Sequence, residues 1–434
     1  MADPGMSVTP YWELTFDADG DVDGPERDHL LAQVTDHGVR DLIVFAHGWN
    51  NDRSGATALY RRFLAPVPAL APGARLGYVG VIWPSMRFSD EPIPDLPRSV
   101  AAVEAAGAPV PALDKDTRRA LLEAFPGRTT VVAELARLLD ERPDRTDGLA
   151  EFGRLVRLLV DDERRHGAAD TEEEEEGGPA VFALDPVTAC GELAGALATL
   201  ESPGAAGFGI PNPWDGAKEL LRQATYYTMK RRAGTVGEHG LGPLVGRLAG
   251  AAPGVRVHLV GHSFGGRLVA FALRGLPEGV RAVKSVTLLQ GAFSHYAFAA
   301  RLPHDTDRAG ALRDRQRRID GPLVCCHSHF DSALGTFYPL ASRVSGDDRS
   351  CAGTEIAAVL GPRWGAMGHD GVQAVPGTAR LDLAAALSGR LPGSGCVNVD
   401  TAAVVRRGGP PTGAHSDILH PELARVVLAA GRIA

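Results

Sequence analysis

Two rhythms of apolar and polar positions alternate along this chain. Residues 11–16 alternate and then meet a turn at Asp17-Ala18-Asp19-Gly20, which predicts a strand. Residues 41–46 and 76–83 are short apolar runs, and a helical stretch of about residues 55–63 lies between them. Strand, helix, strand in that order predicts a parallel sheet with crossover helices. The rhythm returns late in the chain. Residues 255–260, 284–290, 322–326 and 396–399 read as strands, and residues 217–232, 267–273 and 421–430 as helices.

Between these halves the pattern changes. Residues 86–215 hold no convincing strand. Residues 129–142 carry Val131, Leu135, Leu138 and Leu139 on one helical face, and residues 148–165 carry Leu149, Phe152, Val156, Leu159 and Val160. Pro143 separates them, which predicts a helical hairpin. An acidic run follows at residues 170–176 and ends in Gly177-Gly178-Pro179. Such a block is expected to be a solvated, mobile loop, and a run of glutamates offers no fixed metal geometry. The expected organisation is a discontinuous α/β core at 1–85 and 216–434, with a mainly helical cap at 86–215 and a mobile loop at 170–178.

Composition narrows the class. A 434-residue chain with 44% hydrophobic residues has room for two or three average domains or for one enlarged α/β domain. Net charge −8 argues against nucleic acid as the partner. Only four of the 45 basic residues are lysine, a bias attributed to coding rather than to function. The five cysteines are odd in number and form no C-x-x-C spacing, so a reducing, cytoplasmic location is expected. Neither a signal peptide nor an apolar run of membrane-spanning length is recognised.

The chemistry enters at Gly261-His262-Ser263-Phe264-Gly265, between a predicted strand and a predicted helix. A nucleophilic serine must stand clear on a very sharp strand-to-helix turn, and glycines two before and two after it let the backbones crowd together. Ser263 is therefore the expected nucleophile. A serine hydroxyl needs a base, and the base needs a carboxylate to orient it. In this type of site the order is Ser, then acid, then His, each past a strand end. Asp331 follows the strand ending near Cys326 and is the expected acid, ahead of Asp305, Asp307 and Asp320; a helix N-cap is its other possible role. His415 lies after the last strand and before the last helix and is the expected base, with His369 and His420 as rivals. The expected oxyanion donors are the amides of Phe264 and Trp49. His47, Gly48 and Trp83 are assigned to the substrate-binding region, with His47 expected to bond its own loop rather than to take a direct chemical role. Cys325, His327, His329 and Asp331 are spaced by two, as a metal site on a strand would be, but Asp331 has the stronger role as acid and no metal is expected.

Taken together, the chain resembles the α/β-hydrolase superfamily. It is similar to bacterial serine hydrolase-like members in the loop Phe45-Ala46-His47-Gly48-Trp49-Asn50-Asn51, the strand end Trp83-Pro84-Ser85 and the elbow Gly261-His262-Ser263-Phe264-Gly265-Gly266. The similarity covers about residues 40–85 and 216–430 and leaves out the insert. It implies a mostly parallel sheet flanked by helices, with Ser263, His415 and Asp331 as a triad on its carboxyl edge and Trp49 and Phe264 as amide donors. The expected activity is hydrolysis of a carboxylic ester or related acyl compound through an acyl-enzyme, on a small-molecule substrate and without cofactor. A silent scaffold of the same shape, and an acyltransferase or peptidase using the same triad, are the alternatives. Substrate identity and oligomeric state are not legible. Deleting residues 170–176 is expected to leave the melting temperature nearly unchanged; a large drop in a thermal scan would contradict the mobile-loop reading.

Overall fold

A computed structural model of the chain describes residues 5–49, 51–86, 88, 112–143, 146–160, 169, 182, 184–201, 212–332, 365–408 and 413–433. The predicted acidic loop, Asn50 and Cys351 lie outside the described residues. In chain order the principal elements are β1 (Tyr11–Thr15), α1 (Gly24–Asp36), β2 (Asp41–Ala46), α2 (Arg53–Leu64) and β3 (Leu76–Ile82). Then come α3 (Lys115–Ala124), α4 (Thr129–Glu141), α5 (Thr146–Val160), α6 (Pro186–Glu201), α7 (Pro213–Thr235) and α8 (Gly242–Ala251). The chain continues with β4 (Arg256–His262), α9 (Phe264–Gly275), β5 (Val283–Leu289), β6 (Pro322–His327), β7 (Ala379–Asp382), β8 (Gly395–Asp400) and α10 (Pro421–Gly431).

The eight strands form one sheet in the order β1-β3-β2-β4-β5-β6-β8-β7. Every pairing is parallel. The fold is therefore α/β. A parallel sheet buries both faces, which is why the strands read as apolar runs rather than as one-sided alternations. In β2, Leu42, Val44 and Ala46 point into one apolar cluster, and Ile43 and Phe45 into the other. Leu30 and Val34 of α1 and Leu268 and Phe271 of α9 belong to the first cluster. Leu59 and Phe63 of α2 and Leu423 and Val427 of α10 belong to the second.

Strand order sets the position of the site. From β2 the chain moves to β3 on one side, then crosses to β4 on the other and continues outward to β5 and β6. The winding thus reverses between β2 and β4. Such a reversal opens a crevice at the carboxyl ends of the two strands, because the loops leaving them diverge to opposite faces.

Every named element between β3 and β4 is a helix, with a π-helical segment at Val236–Leu241. The predicted hairpin is α4 and α5; residues 161–165 of its second arm lie outside the described residues. Leu135 and Leu139 of α4 and Phe152 and Val156 of α5 belong to the same apolar cluster as the α9 face of the sheet.

Several elements differ from the sequence reading, which marked no helix at α1, α3, α6 or α8 and no strand at β7. Helix α7 starts at Pro213, not 217, because Asn212 caps it by accepting a hydrogen bond from the Trp214 amide. It is buried nearly all round, Glu219, Gln223, Thr225 and Thr228 included, so a search for an apolar stripe saw only part of it. Helix α1 went unread because only Leu30 and Val34 of its 13 residues are buried. Edge strand β7 went unread because it exposes alternate residues and carries polar ones.

If the insert helices belong to the common core, Leu135→Ala destabilises the whole protein by about 2–5 kcal/mol. Denaturant melts followed by fluorescence and circular dichroism should then still show one shared transition. A separate early transition would count against a shared core.

Candidate active site

The turn from β4 into α9 carries Ser263 with φ 55° and ψ −122°, a conformation that non-glycine residues rarely hold. The surroundings impose it. A Cβ at Gly261 would run into the backbone of Gly265, and one at Gly265 into the carbonyl of Ala46. The Ser263 amide donates to the Leu289 carbonyl at 3.1 Å, and its carbonyl accepts from Gly266 at 3.0 Å and Ala292 at 3.2 Å. Three backbone hydrogen bonds thus fix the serine on this turn.

Oγ of Ser263 lies 2.9 Å from Nε2 of His415, and Nδ1 of His415 lies 2.8 Å from Oδ2 of Asp331. The carboxylate can only accept, so Nδ1 carries the proton. Nε2 then offers its lone pair to the serine hydroxyl. This is the tautomer a base needs. Asp331 is fully buried, and the two loops that bring it to His415 are stitched together by the Ala414 amide donating to the Phe330 carbonyl at 2.9 Å. The rivals are engaged with other partners. His369 and His420 bond Asp370 and Asp417 respectively, each at 2.9 Å. Asp320 pairs with Lys284 near the amino ends of β5 and β6, the opposite edge of the sheet.

The loop after β2 closes the other side. A Cβ on Gly48 would stand 2.7 Å from Cβ and 3.2 Å from Oγ of Ser263, so only a glycine backbone can pass this close to the hydroxyl. His47 and Trp83, expected near substrate, are both buried and make their contacts with the loop itself. Trp83 Nε1 donates to the His47 carbonyl at 2.9 Å, and its ring stacks on the imidazole at 5.5 Å between centroids. The His47 amide donates to the Tyr60 hydroxyl at 2.9 Å, and Tyr60 donates on to the Val81 carbonyl at 2.5 Å. Trp49 packs against Tyr226 and Phe264, with ring centroids at 5.6 and 6.3 Å. The Phe264 amide is the first of α9, where no carbonyl one turn back exists to receive it, so it is available to an anion at the helix start.

His262 was quoted in the motif without a role, and the structure supplies a contact for it. Its Nε2 lies 3.0 Å from the His415 carbonyl, so that nitrogen donates and ties the base loop to the strand. Burial drives the His262 imidazole down to about 3, helped by nearby His415 and opposed by this hydrogen bond. Burial likewise takes His47 down to about 4, against the hydrogen bond it gives the Gly48 carbonyl at 2.9 Å. Both rings are neutral at pH 7. Only a neutral ring with one N–H fits a single carbonyl acceptor, and no spacing rule in the sequence marks that.

A second Ser–His–Asp chain exists at the amino end of the sheet. His258 bonds Ser285 Oγ through Nδ1 and Asp41 through Nε2, each at 2.9 Å, and Arg256 pairs with Asp41 at 2.5 Å. All of Ser285, His258 and Asp41 are buried, and Ser285 lies inside β5 rather than on a turn into a helix. This set satisfies buried polar groups. Among the described residues no group of three or more His, Cys, Asp and Glu side chains is placed to hold a metal ion. Cys325 points its thiol at the Met367 carbonyl, 3.4 Å away, and burial pushes the Cys326 thiol up to about 12.

No protein-family model, curated protein or solved structure matches the chain. No helix among the described residues is long and apolar enough to cross a membrane.

The buried histidines couple stability to pH. His47, His258 and His262 all sit below their ordinary 6.5. Below about pH 6.5 the unfolded chain therefore binds protons that the fold refuses, down to about 4 for His47 and about 3 for His262. Each such group removes up to about 1.4 kcal/mol of stability per pH unit in that window. His369, raised by its hydrogen bond to Asp370, works in the opposite sense and offsets part of the loss. The melting temperature should fall from pH 7.5 to pH 5; a rise would contradict the neutral, buried state of these rings.

Proposed function

We propose that this protein is a serine hydrolase of the α/β-hydrolase type, cleaving a carboxylic ester or a closely related acyl compound. The observation that carries this reading is the single imidazole of His415 within hydrogen-bond distance of both Ser263 and Asp331, beside a serine held at positive φ on a strand-to-helix turn. The helices between β3 and β4 are read as the cap over this site. The free thiols of Cys190, Cys325, Cys326 and Cys396 support a reducing, cytoplasmic setting.

In this scheme Ser263 Oγ attacks the substrate carbonyl carbon while His415 Nε2 takes the hydroxyl proton. The carbonyl π electrons move onto oxygen. The resulting oxyanion is met by the amides of Phe264 and Trp49, each worth about 3 kcal/mol of transition-state stabilisation. When the tetrahedral species collapses, His415 returns the proton to the departing alkoxide and leaves an acyl-serine. Water, deprotonated by the same imidazole, then releases the acid. Asp331 remains ionised throughout; it holds the Nδ1–H tautomer and stabilises the imidazolium. The neutrality of His262 and His47 matters here, because a positive charge on either would compete with the imidazolium for this small volume.

A fluorophosphonate probe and a series of p-nitrophenyl esters of graded acyl length test the reading. Wild type should be labelled and Ser263→Ala should not, with ester hydrolysis reduced by about 10³-fold or more. His415→Ala should behave nearly the same. An unlabelled wild type would favour a silent scaffold, and a dead His369→Ala beside an active His415→Ala would displace the base.

A further inference from the structure

Three neighbouring strands end side by side at the site, and the residue after the middle one has no role in the scheme above. Leu289, the last residue of β5, is in register with His262 of β4 on one side and Cys326 of β6 on the other. Gln290 therefore emerges between the serine turn and the strand that leads to the acid. Its amide donates to the Cys326 carbonyl at 3.2 Å.

Gln290 is fully buried and holds φ +48°. Glycine would adopt that backbone with less strain, and asparagine is the commoner side chain there. What neither supplies is an amide at the end of a two-methylene arm. Nε2 of Gln290 lies 3.1 Å from Asp331 Oδ2 and 3.1 Å from the Gly368 carbonyl. Both partners are acceptors, so the nitrogen end of the amide must face them. Oε1 meets no hydrogen-bond donor among the described residues. A strained backbone and an unsatisfied buried acceptor are both costs, and the feature they accompany is the donor aimed at Asp331.

Gly368 is itself anchored. Its amide donates to the Gly291 carbonyl at 2.9 Å, and its carbonyl also accepts from the Ser328 amide at 2.9 Å. Ser328 in turn receives the Asp331 amide at 3.1 Å. Gln290 thus closes a ring of hydrogen bonds around the acid loop, and Asp331 Oδ2 is shared between Gln290 and His415.

We propose that Gln290 is a positioning residue that orients the Asp331 carboxylate toward Nδ1 of His415. The proposal rests on the hydrolase reading for its catalytic consequence, but its structural consequence is measurable without any substrate. Gln290→Met keeps the length and removes the donor; Gln290→Leu removes it with a shorter apolar side chain. In folded variants, checked by circular dichroism, three changes are expected. The far-downfield proton resonance of the His415 Nδ1–H shifts or broadens. Fluorophosphonate labelling of Ser263 and kcat fall about 10- to 100-fold with KM nearly unchanged. The acid-side limb of the pH–rate profile moves to higher pH, because a carboxylate with one donor fewer attracts the imidazolium form of His415 more strongly. If one variant fails to fold, the other carries the test. A folded variant that keeps the wild-type resonance overturns the proposal, whether or not labelling slows. A wild type that is never labelled overturns the hydrolase reading alone, since the resonance still reports on the Gln290–Asp331–His415 chain.

Discussion

Parallel pairing of β2, β4, β5 and β6 is the constraint on which the site depends. It brings the ends of four separate strands to one edge, and the reversal of winding between β2 and β4 parts the loops there. The glycine loop after β2, the serine turn after β4, Gln290 after β5 and the acid loop after β6 are then neighbours by construction. His415 arrives from the far side, on the loop before α10, and is drawn in by its own carbonyl bonded to His262 and by Ala414 bonded to Phe330. Close backbone approach completes the geometry. Gly48 and Gly265 stand where any side chain would push the β2 loop away from Ser263.

Electrostatics around this edge are arranged by burial rather than by charge. Two imidazoles next to the serine, His47 and His262, are kept neutral, and each spends its one N–H on a backbone carbonyl. The contrast with the chain Ser285–His258–Asp41 is instructive. It joins the same three residue types at similar distances, yet it lies beneath the amino ends of the strands and an arginine also holds its carboxylate. Residue types and distances are shared by both sets. What separates them is a part-exposed imidazole, a serine on a turn and a helix start beside it.

The described helices between β3 and β4 share the apolar cluster on one face of the sheet. Helices α4 and α5 share an apolar cluster with α9. Arg232 of α7 donates to the carbonyls of Pro84 and Ala124, which joins the end of β3, α3 and α7 through backbone acceptors. A buried guanidinium paired with carbonyls fixes orientation more than it adds stability, because its desolvation is costly.

Much of this was legible in the chain itself. Apolar runs of period two, turn residues and helical stripes marked seven of the eight strands and the parallel α/β class, because a strand buried on both faces writes its burial directly into composition. The elbow Gly261–Gly265 was legible because crowded backbones leave no alternative to glycine. The order of Ser263, Asp331 and His415 along the chain, each past a strand end, singled them out before any distance was known. Local signals failed where burial comes from tertiary neighbours. Helix α7 is wrapped on all sides, β7 is a polar edge and α1 buries two residues only, so none shows a full stripe. Only the folded chain decided which nitrogen of His415 carries a proton, that His262 bonds the His415 carbonyl and Gln290 the Asp331 carboxylate, and that Trp83 supports a loop from behind. Those facts depend on hydrogen bonds between residues 36 to 153 positions apart, and no periodicity along a sequence encodes a contact of that kind.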